Sequence, residues 1–517
     1  MATVAKSPYR MSRHAQFYEL ADGAYASWNS LFPVVTILDS QTVAQLQALP
    51  NADSSLSTQT LKSLRRVKLV YRGDADPFER EFFRSAERAL AAMDADAAHF
   101  YGDRVPYDQI HIVNSGCNLG CSYCVSYYGD EHRKSGAMVA DRGSAREQAI
   151  VNVLDQLLTR KRECGHKLFS IGFNGGEILL RWPLIERLLD HVTTTYPEFT
   201  VDVHMNTNAT LMTKEIAAKL AAYKTDVHVS IDGYESAHNR TRHYHTGGGS
   251  FDRVMAGVNN YREASHEPNT LKGFQGTIED IDDFDDAALF AMTEHGFGSA
   301  RLAPNLLKKN GAHGRKAALW EAQLAVKSQT QDLDVGQTHL HRILRVMDGT
   351  KGFRPHCGGL SGLRTRTLVL NIDSMQASQL CSFSSPGAVA LVDAAYDIYN
   401  PALWQATRSY IASRIEMLRT ACSGCDVLGS CQGSCVYNGM DVNNVLNPAG
   451  CAYQRSMFRH AIDYRHSGFV RPLADQVDDS VEPVAQPEDC GSGCSDVPLH
   501  GPADEAGKRT WRLTQVP

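Results

Sequence analysis

Between residues 105 and 310 the chain repeats one pattern, a short apolar run followed by a longer amphipathic stretch. The runs Gln109–Val113, Leu168–Phe173, Val201–Met205, Asp226–Ile231, Gly273–Ile278 and Ser299–Ala303 read as strands. Helices are predicted over Ala145–Lys161, Leu184–Tyr196, Lys214–Ala222, Phe251–Glu263 and Phe284–His295. Strands alternating with helices in this way build βα units around a parallel sheet. Six units predict an α/β fold, a partial (β/α)6 TIM-like barrel whose ligands gather where the strands end.

The flanking segments read differently. In residues 1–104, Gln16–Leu20 and Ala24–Trp28 flank an Asp22-Gly23 turn signal and predict a hairpin. Helical Thr42–Leu49 and Ser57–Leu64 and strand-like Val67–Tyr71 follow, an order that fits a small winged-helix-like module. Residues 311–350 are a polar, helix-prone connector. The region 351–465 is dense in cysteine with few periodic stretches, as expected where metal ligation supplies stability that a core does not. The tail, 466–517, is rich in Asp, Glu, Pro and Gly and is expected to be mobile.

A formal net charge of −6 gives no electrostatic reason to expect nucleic acid or an anionic membrane as a partner. The N-terminus lacks an apolar secretion core, and no uninterrupted apolar run is long enough to span a bilayer, so a cytoplasmic protein is expected. Thirteen cysteines, an odd number without a secretion signal, fit a disulfide framework poorly and metal or redox chemistry better.

Three of those cysteines lie directly after the first strand, in Cys117-Asn-Leu-Gly-Cys121-Ser-Tyr-Cys124. Thiolates hold iron–sulfur cubanes, normally four to a cluster, so three leave one iron open to a ligand. A structural zinc site would require a fourth protein ligand. Tyr123 and Tyr127 are placed to shield such a cluster or flank a nucleoside.

The segment resembles the radical S-adenosylmethionine (SAM) superfamily, and the resemblance continues along the barrel. Gly175-Gly176-Glu177 after the second strand looks like the motif that binds the SAM amino group, with Ile178 where that family usually has proline. Asn208 after the third strand, Ser230 after the fourth, and Arg242 are similar to ribose and carboxylate contacts. The resemblance implies a [4Fe–4S] cluster that passes an electron to SAM, giving methionine and a 5′-deoxyadenosyl radical that abstracts a substrate hydrogen.

Further along, Cys422-x2-Cys425-x5-Cys431-x3-Cys435 is followed by Cys451 and preceded by Cys357 and Cys381. This resembles the SPASM domain, which carries auxiliary [4Fe–4S] clusters. By that resemblance Cys357, Cys381 and Cys435 hold one cluster and Cys422, Cys425, Cys431 and Cys451 another. The long Cys357–Cys381 interval and Gln376, in place of a common glycine, depart from the pattern. Cys164 reads as structural, and the Cys490/Cys494 pair in the tail is left open between a redox pair and no function.

Enzymes with this domain pair mostly modify peptides, so the expected partners are a precursor peptide with a leader segment and an electron donor such as flavodoxin or ferredoxin. The N-terminal module would then bind the leader as an added strand. Competing readings are formylglycine formation of the anaerobic sulfatase-maturase kind, a SPASM dehydrogenase of a small molecule, and a non-catalytic zinc-binding scaffold. The sulfatase-maturase subfamily places an aspartate directly after the second SPASM cysteine, where this chain has Ser382. Asp373 and Arg301 are the first candidates for catalytic residues.

Overall fold

The computed structural model describes residues 7–50, 56–124, 144–265, 271–279, 297, 300–306, 309–331, 339–347, 367–379, 389–390, 397–433, 446–468 and 470. The chain begins with five short strands, β1 (Tyr9–Met11), β2 (Ala15–Glu19), β3 (Tyr25–Asn29), β4 (Phe32–Leu38) and β5 (Val70–Arg72). β2, β3 and β4 form an antiparallel sheet, and β1 pairs with β5. The expected β2–β3 hairpin turns at Gly23, where φ is +81°, with Asp22 accepting from the Ala24 amide at 3.1 Å. Asp39 and Ser57 cap the helices Ser40–Gln47 and Thr58–Arg66. The sequence reading had no counterpart for the 25-residue helix Phe78–Gly102, which buries Phe78, Phe82, Ala86, Met93, Ala97 and Phe100.

All six predicted barrel strands form: β6 (Gln109–Asn114), β7 (Leu168–Gly175), β8 (Thr200–Thr207), β9 (Asp226–Ser230), β10 (Leu271–Ile278) and β11 (Ala300–Pro304). They lie side by side in chain order, and every neighbouring pair is parallel. Helices Ser144–Glu163, Trp182–Thr195, Lys214–Ala222 and Phe251–Ala264 occupy the predicted intervals. The helix predicted at Phe284–His295 lies outside the described residues.

The sheet does not stop at six strands. β12 (Thr367–Asn371), from the cysteine-dense region, adds to the free edge of β6 as a seventh parallel strand. β13 (Gln376–Ser378) and β14 (Val389–Ala390) extend it antiparallel. The expectation that region 351–465 holds few periodic stretches is also corrected, because it contains two 20-residue helices, Pro401–Thr420 and Pro448–Ser467. Each starts with Asn-Pro, the asparagine capping free amides and proline filling a position that needs no donor.

Two cores result. One packs the apolar side chains of β6–β10 against the surrounding helices. The other joins the N-terminal sheet to helices Gly311–Gln331, His339–Met347 and Pro448–Ser467. There the Trp28 ring sits 5.2 Å from Phe458, and its indole donates to the Asp426 carbonyl at 2.9 Å. The N-terminal sheet β2–β4 is thus seated on the cysteine-rich region, while the helix Phe78–Gly102 reaches the barrel core through Phe100. Among the described residues, no helix is long and apolar enough to cross a membrane.

Candidate active site

Where β6 ends, the chain turns into the loop that carries Cys117, Cys121 and Cys124, at the end of the sheet where a parallel α/β fold keeps its ligands. The loop is held along one side by the segment after β9. Gly120 donates to the His243 carbonyl at 2.8 Å and Ser122 to that of Thr241 at 3.2 Å. The Cys117 sulfur accepts from the Leu119 amide at 3.4 Å, with the Asn208 side-chain amide 3.9 Å away.

Burial pushes the Cys117 thiol up to about 12, with Glu177 and the neighbouring thiols adding to the effect. It pushes Cys121 up to about 11 against the pull of Arg242. Thiols so desolvated hold their protons until a strongly charged cation displaces them, which is the bargain that cluster iron offers. The donor set therefore fits a [4Fe–4S] cluster.

Gly175 and Gly176 are required by backbone contact. A Cβ on Gly175, where φ is +119°, would lie 2.2 Å from the Asn114 carbonyl oxygen, and one on Gly176 2.1 Å from that of Gly116. Their packing lets Gly176 donate to Asn114 and Glu177 to Gly116, at 2.9 and 2.8 Å. The backbone that comes this close is that of the residues leading into the cysteine loop. Asn114 completes the seam, its side-chain amide donating to the carbonyls of Gly116 and Glu177.

Glu177 follows the two glycines at the end of β7. Its carboxylate is fully buried and accepts from the Leu179 amide at 2.9 Å, the Thr207 hydroxyl at 2.7 Å and the Asn208 amide at 2.7 Å. Burial raises its pKa, and those donors oppose the rise. Glu177 therefore ties the β7 loop to the end of β8. Asn208 is nine-tenths buried and reaches back to the cysteine loop, donating to Asn118 at 2.9 Å.

Ser230 ends β9 and is only partly buried, so it stays reachable at the mouth of the barrel. Arg242 pairs through Nε with Asp232 at 2.9 Å, and its guanidinium lies 5.4 Å from the centre of the Tyr123 ring. Burial works against that cation, but Asp232 and Tyr123 outweigh it and keep Arg242 charged. Asp232 also accepts from the Thr277 amide and the hydroxyls of Thr241 and Tyr123, gathering β10, the segment after β9 and the cysteine loop at one carboxylate. Asp232 stands in the segment read after the fourth strand, but only Ser230 and Arg242 were assigned a role there from the sequence.

Arg301 sits exposed on β11, in register with Gln275, which is in turn beside Ser230. Asp373 is nearly buried beyond β12, with its carboxylate engaged by Arg181 and by the amides that precede Cys117. Deeper in the barrel, a directed chain of amides runs from Gln275 through Asn206 and Asn174 to His111. Burial holds His111 down to about 4.

Of the C-terminal cysteines, Cys422, Cys425, Cys431 and Cys451 come within electrostatic reach of one another. Burial raises Cys422 to about 12 and Cys451 to about 11, and lifts Cys425 and Cys431 as well. Arg455 and the buried Arg414 flank the group and oppose the rise, Arg455 pairing with Asp426 at 2.9 Å. Neither arginine was singled out from the sequence. Cys357, Cys381, Cys435, Cys490, Cys494 and Tyr127 lie outside the described residues, whereas Cys164 is described and exposed. Among the described residues, no three His, Cys, Asp or Glu side chains converge tightly enough to hold one metal ion.

Fold and loop together define a class of protein: a parallel α/β sheet with a thiol-bearing loop at the ends of its strands. Residues 111–291 match the family model of the radical SAM superfamily, and the chain carries that domain, with the [4Fe–4S] cluster and SAM it implies. The chain is 26% identical over 330 residues to the mycofactocin maturase MftC of Mycolicibacterium smegmatis, covering 62% of this chain and 75% of MftC. It is 28% identical over 142 residues to the radical SAM cyclopropyl synthase TigE of Paramaledivibacter caminithermalis. That match spans 27% of this chain and 30% of TigE. The solved structure described as native anSMEcpe with bound AdoMet and Cp18Cys peptide shares the fold, with a TM-score of 0.50 at 16% identity, covering 68% of this chain and 97% of that one.

Proposed function

We propose that the protein is a radical SAM peptide maturase whose C-terminal region is a SPASM domain. The observation that carries this reading is the cysteine loop locked edge to edge against Gly175–Gly176, with Arg242 beside it. When bound, the cluster and SAM supply one-electron cleavage of SAM and a carbon radical able to remove a substrate hydrogen. The chain's own contribution is positional. Asp232 holds Arg242 charged beside the cysteine loop, where it would meet the SAM carboxylate; Asn208 and Ser230 would line the nucleoside side, and the Tyr123 ring packs against Arg242.

The peptide substrate is supported by the relatives, one named as a maturase, and by the structural neighbour described with AdoMet and a peptide together. In the C-terminal region, Cys422, Cys425, Cys431 and Cys451 form a four-thiol group suited to an auxiliary cluster, and Cys357, Cys381 and Cys435 are assigned to a second. The N-terminal sheet, carrying exposed Val34 and Ile37 on its edge strand β4, suits a leader segment added as a further strand. Flavodoxin or ferredoxin would supply the electron. The formylglycine alternative needs a free carboxylate base, and Asp373 is not free.

Anaerobic reconstitution with iron and sulfide, followed by SAM and dithionite, is expected to yield 5′-deoxyadenosine, and Cys121→Ser to abolish it. Bound zinc without sulfide, and no 5′-deoxyadenosine from the intact chain, would return the scaffold reading.

A further inference from the structure

We infer that Asp373 is a positioning residue for the SAM-binding cluster, through which the C-terminal region sets the geometry of the cysteine loop. One carboxylate oxygen, Oδ2, accepts from two successive backbone amides, Ser115 at 2.8 Å and Gly116 at 3.2 Å, immediately before Cys117. The other, Oδ1, pairs with Arg181 at 2.6 Å. Arg181 closes the single turn of 3-10 helix that follows Gly175-Gly176-Glu177. One side chain thus fastens the cysteine loop, the glycine loop and the turn after β12, and it does so at a nearly buried position where water cannot replace it.

The turn itself is held rigid. Asn371 Oδ1 accepts from the Asp373 and Ser374 amides at 3.0 Å each, and its side-chain amide donates to the Ser115 hydroxyl at 3.2 Å. β12 lies in parallel register with β6 up to Asn371, so the carboxylate is delivered to the loop by the sheet rather than by a flexible tether. The arrangement is asymmetric in chain position: the residues that hold the loop lie more than 250 positions after it, the Ser115–Asp373 separation being 258. Loss of this anchor frees two adjacent amides beside the first cluster ligand, and displacement of a reacting group by about 1 Å costs up to about 100-fold in rate.

The inference rests on the radical SAM reading of the loop. Its test uses the reconstituted full-length protein, with SAM and dithionite as the probes. SAM binds a cluster with an open iron, so the SAM-induced change in the electron paramagnetic resonance of the reduced protein, read on a background with Cys357, Cys381 and Cys435 replaced by serine, reports the barrel-loop cluster. Asp373→Ala is expected to lower the 5′-deoxyadenosine rate by at least about tenfold and to alter the SAM-induced spectral change. Asp373→Asn, which keeps an acceptor for the two amides, should restore most of both, and Arg181→Ala should fall between. The inference is overturned if Asp373→Ala keeps the wild-type rate and spectral change. It is equally overturned if alanine and asparagine lose both alike while lowering the unfolding temperature alike. Absence of 5′-deoxyadenosine from the unmutated protein would instead refute the radical SAM reading itself.

Discussion

At the scale of single residues, the site is governed by positions where no other side chain fits or where charge is confined. Gly176→Ala would drive a methyl group to 2.1 Å from the Gly116 carbonyl oxygen, so the cysteine and glycine loops must part. We expect 5′-deoxyadenosine formation to drop by about 100-fold while iron held at the C-terminal thiols is unchanged, measured by chromatography and by iron assay on a Cys117→Ser background. His111 makes a pH prediction. Its folded pKa of about 4 lies below the ordinary imidazole value of 6.5, so the folded state resists the proton that the unfolded chain takes up. The stability it contributes is complete above pH 6.5 and is lost as pH falls toward 4. In denaturant titrations His111→Gln should remove from that window a slope of up to about 1.4 kcal/mol per pH unit.

At the scale of elements, the six barrel strands were legible because each is an apolar run set between helices, and their observed bounds differ from the predicted ones by no more than two residues at most ends. β12 was not, because Thr367-Leu-Val-Leu-Asn371 is a short run in a stretch read as irregular, and only its pairing with β6 gives it meaning. The Phe78–Gly102 helix left a signal that was passed over, in Phe78, Phe82 and Ala86 spaced four apart. Cys117, Cys121 and Cys124 were readable from spacing alone. Asp232 and Asp373 were not readable as anchors, since what each one holds is far away in sequence. The docking of the N-terminal sheet is the element contact most open to test. Trp28→Ala removes the ring against Phe458 and the bond to the carbonyl beside Cys425. It should cost about 3–5 kcal/mol in denaturant titrations and lower the iron retained after reconstitution.

At the scale of the whole molecule, the described thiols gather at two separate places on one frame, the first in the barrel loop and the second under the N-terminal sheet. If both C-terminal assignments hold, fully reconstituted protein will carry about 12 irons, three cubanes of four. Replacing Cys422 and Cys425 by serine should remove about four of them and leave SAM cleavage measurable. Chelation of the iron should lower the unfolding temperature, because the C-terminal thiols sit between two cores that the metal would hold together.

The parallel pairing of β12 with β6 also dictates an order of events during synthesis. Until residue 371 has left the ribosome, β6 has an open hydrogen-bonding edge on the side away from β7, and the amides of Ser115 and Gly116 have no acceptor there. A nascent chain that already contains the whole cysteine motif therefore cannot yet present it in its final shape. Cluster insertion into the barrel loop becomes a late step, and chains released before β12 should expose the β6 edge and self-associate.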